Sequence, residues 1–167
     1  DSFRLSMLAD LRNALNDRLI DVHFQPKKDL RTGRIAGVEA LARWTDPLHG
    51  VVPPEVFVSL AEQAGLIGPL TRLVLADALA GARQCLEHGH RIGVAVNLSA
   101  HSLVDESLPR TVADCLTASG VPAELLTLEI TESAMVGASP RTREVLEQLD
   151  ALGVRISIDD FGTGYSS

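Results

Sequence analysis

The chain has 167 residues, a hydrophobic fraction of 46%, an aromatic fraction of 4% and a formal charge of −7. This length suits one domain or part of one, with an aliphatic core. The acidic balance argues against a nucleic-acid polymer as partner, because that interface needs a basic surface, but leaves room for a small anion held by a metal.

Other classes drop out on inspection. Cys85 and Cys115 stand alone, without CxxC or zinc-ligand spacing, and read as small buried hydrophobes in a reducing compartment. No apolar run reaches the roughly 18 residues of a membrane span. The start is amphipathic, carries no signal-peptide core and lacks an initiating Met, so the chain is expected to have been cut from something longer.

In chain order, Leu5, Leu8, Leu11 and Leu15 mark one face of a helix over 4–18. IDVHFQP (20–26) alternates like a strand and ends at Pro26; DLRTGR (29–34) is a turn; IAGVEALARW (35–44) is a second strand. The link between these strands is too short for a parallel crossover, so they form an antiparallel hairpin. Helices follow over 54–64, stopped by Gly65, and from about 69 to 87, closed by HGH. RIGVAVNLSA (91–100) is a strand, 102–119 holds a helix ended by Gly120, and LLTLEITES (125–133) is a strand. A helix over 139–153 starts at Ser139–Pro140 and stops at Gly153, and VRISIDDFGTG (154–164) is the fifth strand with its loop. Strands joined by helices predict an α/β fold with a parallel sheet.

Glu39, Asn97, Glu129 and Asp159 each lie near the carboxyl end of a strand. Side chains alternate along a strand, so Val94, Val96, Leu126, Leu128, Ile130, Ile156 and Ile158 share the opposite face, toward the helices. Sites of parallel α/β folds gather at these strand ends. Three carboxylates packed together resist ionising without a cation, and all-oxygen ligands favour Mg²⁺, Mn²⁺ or Ca²⁺. Asp160 follows Asp159 and could serve a second ion, as in two-metal phosphoesterases. Arg43 suits a phosphate oxygen pair better than a surface ion pair. Taken alone, Asp159 and Asp160 would be an acidic turn or a helix cap, and Asn97 a turn residue; their company makes them ligands. Glu132 either holds the glycine-rich loop that follows Asp160 or is a solvated or capping acid at a helix start. Trp44 reads as packing under the rim. The histidines (23, 49, 88, 90, 101) are scattered and offer no zinc site. Ser99, Ser166 and Ser167 have no evident His base, so a serine hydrolase is not expected.

EALARW (39–44), NLSA (97–100), LEITES (128–133) and DDFGTGYSS (159–167), with HFQP and LRTGR before them, resemble the EAL domain family in this order. The resemblance divides the chain into a linker helix (1–18) and an EAL domain (19–167), truncated after the DDFGTG loop. It implies an incomplete TIM-type (β/α) barrel with an antiparallel first strand and about five of eight strands. It implies hydrolysis of cyclic di-GMP to linear pGpG with Mg²⁺ or Mn²⁺ in a two-metal site. Glu39, Asn97, Glu129 and Asp159 would be metal ligands, Asp160 would serve the second metal or its water, Glu132 would position the loop, and Gln25, Leu41 and Arg43 would touch the dinucleotide. The family pattern adds a KxD strand, an EGVE strand and a QGY-type strand after this point, so the 167 residues alone are expected to be inactive. The alternative is a catalytically silent EAL module that binds cyclic di-GMP or a protein partner. The resemblance also implies a bacterial cytoplasmic location, an upstream GGDEF or sensory domain, and room for a homodimer covering the open edge.

Overall fold

The computed structural model describes residues 2–159. Asp160 and the FGTGYSS segment, expected to form the loop over the site, lie outside the described residues. Helix α1 (Ser2–Asn16) leads into a hairpin of β1 (Ile20–Lys28) and β2 (Ile35–Asp46). The short strand β3 (Gly50–Val52), helices α2 (Pro54–Ala64) and α3 (Ile67–Glu87), and strand β4 (Gly93–Asn97) follow. Helix α4 (Leu108–Ser119), strand β5 (Leu126–Thr131), the one-turn helix α5 (Glu132–Met135), helix α6 (Pro140–Ala151) and strand β6 (Arg155–Asp159) complete the order.

The sheet runs β1-β2-β4-β5-β6, with β3 paired to β2. β1 is antiparallel to β2, as the short hairpin requires, and β2, β4, β5 and β6 are mutually parallel. Among the described residues the sheet is open, with β1 and β6 as its two edges. This is an unclosed α/β barrel wall with all five expected strands.

One face of the sheet meets the helices. Val94, Val96, Leu126, Leu128 and Ile130 are buried there, as the alternation predicts, whereas Ile156 and Ile158 on edge strand β6 are more exposed. Trp44 is buried edge-on to Phe57 with ring centroids 6.1 Å apart, a packing residue as expected. Helix α3 lays Leu70, Val74, Leu75, Ala78, Leu79 and Ala82 into the core, spaced to form one stripe. Each fully buried leucine contributes about 1.5–3 kcal/mol relative to an exposed one.

Local signals end the helices where the sequence places them. Gly65 and Gly120 adopt the left-handed conformation that closes α2 and α4. The Ser139 side chain accepts the Thr142 N–H and caps α6, with Pro140 in its first turn.

The structure departs from the sequence reading in several places, among them the strand expected over 125–133, which ends at Thr131 and gives way to α5. The buried stripe of α1 is Met7, Leu11 and Ala14, and Leu5 is exposed, because the helix turns its methionine side to the core. β1 runs past Pro26 to Lys28; among the described residues it is a sheet edge, the kind of strand that tolerates proline. Residues 102–119 split into a 3₁₀ turn (Ser102–Val104) and α4, with Pro109 in the first turn of α4. β3 is a short addition that the pattern did not show.

Candidate metal and dinucleotide site

The inward face of the sheet carries the polar set. Register places Gln25 opposite Glu39, His23 opposite Leu41 and Asp21 opposite Arg43. Across the parallel strands, Glu39 aligns with Ala95 and Thr127, Asn97 with Glu129 and Ser157, and Thr131 with Asp159. The four expected ligands therefore share one face but occupy three successive rows: Glu39, then Asn97 with Glu129, then Asp159.

Side chains bridge the lower two rows. Asn97 Nδ2 donates to Glu39 Oε2 at 3.0 Å. The Lys27 ammonium donates to Glu129 Oε1 at 2.7 Å and lies 3.5 Å from Glu39 Oε1. Glu129 is buried, at 6% exposure, and a carboxylate so placed needs a counter-charge. Burial by itself would lower the Lys27 pKa, but the hydrogen bond and charge of Glu129, with Glu39 beside it, raise it above the ordinary lysine value. Sequence reading missed Lys27 because it ended β1 at Pro26; alternation from Gln25 would have put Lys27 on the same inward face.

These residues fit a hard divalent ion on one direct observation: a cationic group already sits between two of the expected carboxylate ligands. Asn97, which bonds to Glu39, adds an amide oxygen to a set otherwise made of carboxylates. Asp159 stands one row further toward the strand ends, and Asp160 lies outside the described residues.

Of the residues expected to meet the dinucleotide, Leu41 and Arg43 line a cavity of about 220 Å³ that Asn97 also borders, together with Pro54, Ile67 and Ser99, and Gln25 lies outside that lining. Enclosed ligand pockets commonly hold about 300–1,000 Å³, so this cavity is smaller than most. Arg43 Nη1 donates to the Ala42 carbonyl at 3.0 Å. Glu132 is the first residue of α5, whose cap is Thr131, accepting the Ala134 N–H.

Two further clusters lie apart from this set. Among the described residues, the one group of three acidic or histidine side chains offering ligand atoms within 4.8 Å of one another is Asp10, Asp46 and His49. Buried Asp46 accepts the backbone N–H groups of Leu48 and His49 at 2.9 and 2.8 Å and faces His49 Nδ1 at 2.9 Å, so it organises the β2–β3 turn. Ser99 and His101 both bond to Glu62, and the His101 N–H donates to Ser99 Oγ at 3.1 Å. A histidine therefore lies nearer Ser99 than the sequence reading allowed, but the serine hydroxyl donates to Glu62 and not to imidazole. This is not the arrangement of an activated nucleophile.

His88 Nδ1 lies 2.8 Å from the Gln84 carbonyl at the end of α3, and Cys85 and Cys115 are free thiols, half-buried rather than fully buried. No helix of the described residues is long and apolar enough to cross a membrane.

The described residues thus form an α/β barrel wall with oxygen donors along its inward strand ends. The EAL domain family model matches residues 8–167, and the chain belongs to this family. It is 44% identical over 165 residues to the bifunctional diguanylate cyclase/cyclic di-GMP phosphodiesterase MucR of Pseudomonas aeruginosa, covering 98% of this chain and 24% of that protein. It is 43% identical over 164 residues to the cyclic di-GMP phosphodiesterase NbdA of the same organism, covering 98% of this chain and 21% of that protein. It is 41% identical over 167 residues to the oxygen sensor protein DosP of Escherichia coli, covering 98% and 20%. The chain thus spans about a quarter or less of the length of these relatives.

Among solved structures, the PaMucR phosphodiesterase in complex with c-di-GMP superposes with a TM-score of 0.89 at 44% identity, covering 97% of this chain and 66% of that one. The FimX EAL domain from Pseudomonas aeruginosa bound to c-di-GMP gives 0.81 at 27% identity, covering 93% and 62%.

Proposed function

We propose that the domain to which these residues belong hydrolyses cyclic di-GMP to linear pGpG with the help of Mg²⁺ or Mn²⁺. The observation that carries this reading is that Glu39 and Glu129 meet around one cationic group on the inward face, with Asn97 bonded to Glu39. The names of MucR and NbdA as cyclic di-GMP phosphodiesterases point the same way.

Glu39, Asn97, Glu129 and Asp159 would hold the metal, with Asp160 serving a second ion or its water. When bound, such ions supply Lewis-acid polarisation of the phosphate and an activated water. Gln25, opposite Glu39, would touch the dinucleotide from β1. Leu41 would pack against it, and Arg43 would leave the Ala42 carbonyl to clamp a phosphate. Glu132, at the start of α5, would hold the loop that follows Asp160. With β1 and β6 as open edges among the described residues, the 167 residues alone would not turn over cyclic di-GMP. The names of MucR, a bifunctional diguanylate cyclase/cyclic di-GMP phosphodiesterase, and DosP, an oxygen sensor protein, are in keeping with a GGDEF or sensory partner domain and a signalling role.

The test is Glu39→Ala in the full-length protein. Glu39 lies on the inward face, outside the apolar core, so the variant should keep its circular dichroism spectrum and lose pGpG production. Turnover at the parent rate would refute the site. A parent that binds cyclic di-GMP with Mn²⁺ present, yet releases no pGpG, would instead be the silent module.

A further inference from the structure

Lys27 is the one cation that the structure sets between Glu39 and Glu129 among the described residues, and neither its motif position nor the ligand set accounts for it. Its route there is specific. Lys27 lies opposite Gly37, and Gly37 is in register with Gly93. That row carries no side chains on β2 or β4, so the lysine stem can cross it toward Glu39, one row higher, and Glu129, two rows higher. Lys27, Gly37, Gly93, Ala95 and Thr127 line a common cavity of about 290 Å³. The side chain remains 44% exposed, so it can swing outward without moving β1.

We propose that Lys27 is a built-in counter-ion for the Glu39–Glu129 pair and that a divalent ion binds there only by displacing its ammonium. The proposal rests on the metal-site reading above. The physical case is direct. Two carboxylates facing one another repel unless a positive charge lies between them. A divalent ion and an ammonium cannot both occupy that position without repelling each other. Entry of the metal is therefore an exchange: Lys27 gives up its 2.7 Å bond to Glu129 and its 3.5 Å contact with Glu39, and its head moves to solvent. Lys27 thus keeps the carboxylates together while setting a lower limit on the ion concentration that fills the site. It is a positioning residue, since it acts through the two carboxylates.

The experiment is calorimetric titration of Mn²⁺ into chelator-treated full-length protein, without cyclic di-GMP, for the parent and four variants. Lys27→Met keeps the stem and removes the competing charge; it should bind Mn²⁺ about five- to tenfold more tightly, the size expected for losing a half-exposed ion pair shared by two carboxylates. Lys27→Arg keeps the charge and should bind close to the parent. Before Mn²⁺ is added, Lys27→Met should melt below the parent, and Mn²⁺ should raise its Tm by more than it raises the parent's. If Lys27→Met does not fold, Lys27→Gln carries the same test. Glu39→Gln and Glu129→Gln separate the two levels of the argument. If both weaken Mn²⁺ binding strongly while Lys27→Met matches or falls below the parent, the exchange is wrong and the metal site stands. If both bind Mn²⁺ as the parent does, the metal site is wrong and the exchange goes with it. A parent and a Lys27→Met variant that both show no Mn²⁺ heat would sink both.

Discussion

Replacing Gly37 with alanine tests how closely β2 and β4 must approach to align the site. A Cβ at Gly37 would lie 2.9 Å from the Gly93 carbonyl oxygen and 3.6 Å from its carbon. Ordinary contacts to carbon fall near 3.5–4.0 Å, so the two strands must part by about half an ångström. Both contacting groups are backbone, and no side chain can rotate away to make room. Overpacking of this kind costs about 1–3 kcal/mol. Alanine recovers about 0.4–1 kcal/mol by restricting the unfolded chain, leaving a net loss of about 1–2 kcal/mol. With a urea m-value near 2 kcal/mol/M for a small protein, the midpoint should fall by about 0.5–1 M. Gly93→Ala is the control, because its Cβ would meet the Leu125 carbonyl oxygen at 3.5 Å, an ordinary contact. It should leave the midpoint unchanged or slightly higher. Gly37→Ala should also weaken Mn²⁺ binding, since the 3.0 Å contact between Asn97 and Glu39 spans the same pair of strands. Equal midpoints for the parent and Gly37→Ala, or equal losses in the two variants, would refute the reasoning.

Two further outcomes follow from the core and the β2–β3 turn. Trp44→Ala removes a buried ring that packs edge-on to Phe57 and should cost about 3–5 kcal/mol in urea unfolding, because the cavity cannot close fully. Burial by itself would raise the Asp46 pKa, but the N–H groups of His49 and Leu48 and the His49 ring outweigh it and hold the pKa below the ordinary aspartate value. A depressed folded pKa stabilises the fold above the unfolded value, and that contribution disappears as pH falls through the folded one. Asp46→Asn should therefore lower Tm at neutral pH, and the gap to the parent should shrink as pH drops below the aspartate range; a gap constant from pH 7 to pH 3 would count against this.

Most of the framework was legible in the sequence because short-range rules set it. The hairpin followed from the eight residues between its expected strands (27–34), since no parallel crossover fits in that length. Gly65, Gly120 and Ser139 marked helix ends through backbone freedom and side-chain capping, and the structure uses them that way. The failures lie where tertiary context overrides local preference. Proline usually ends a strand, but an edge strand tolerates it, and β1 continued through Pro26 to Lys28. Leucine spacing alone suggested Leu5 for the buried face of α1, but Met7 fills that place, and the exposed Leu5 shows that a leucine stripe does not by itself fix how a helix is turned.

The site shows the same boundary more sharply. Alternation along a strand tells which face a residue takes, and it placed Glu39, Asn97, Glu129 and Asp159 together. It does not tell which row each occupies, because rows depend on how neighbouring strands slide past one another. That offset is fixed between chain segments far apart: Gly37 beside Gly93, Asn97 beside Glu129, Thr131 beside Asp159. The consequence is chemical. Glu39 and Glu129 sit in different rows, so something must span them, and a lysine from the antiparallel strand does so across a row without side chains. A motif names the donors for a cation, but only the register shows that the chain brings a cation of its own to the same place. That is why substitution of Lys27, a residue outside the motif's ligand set, should alter metal affinity while leaving every ligand in place.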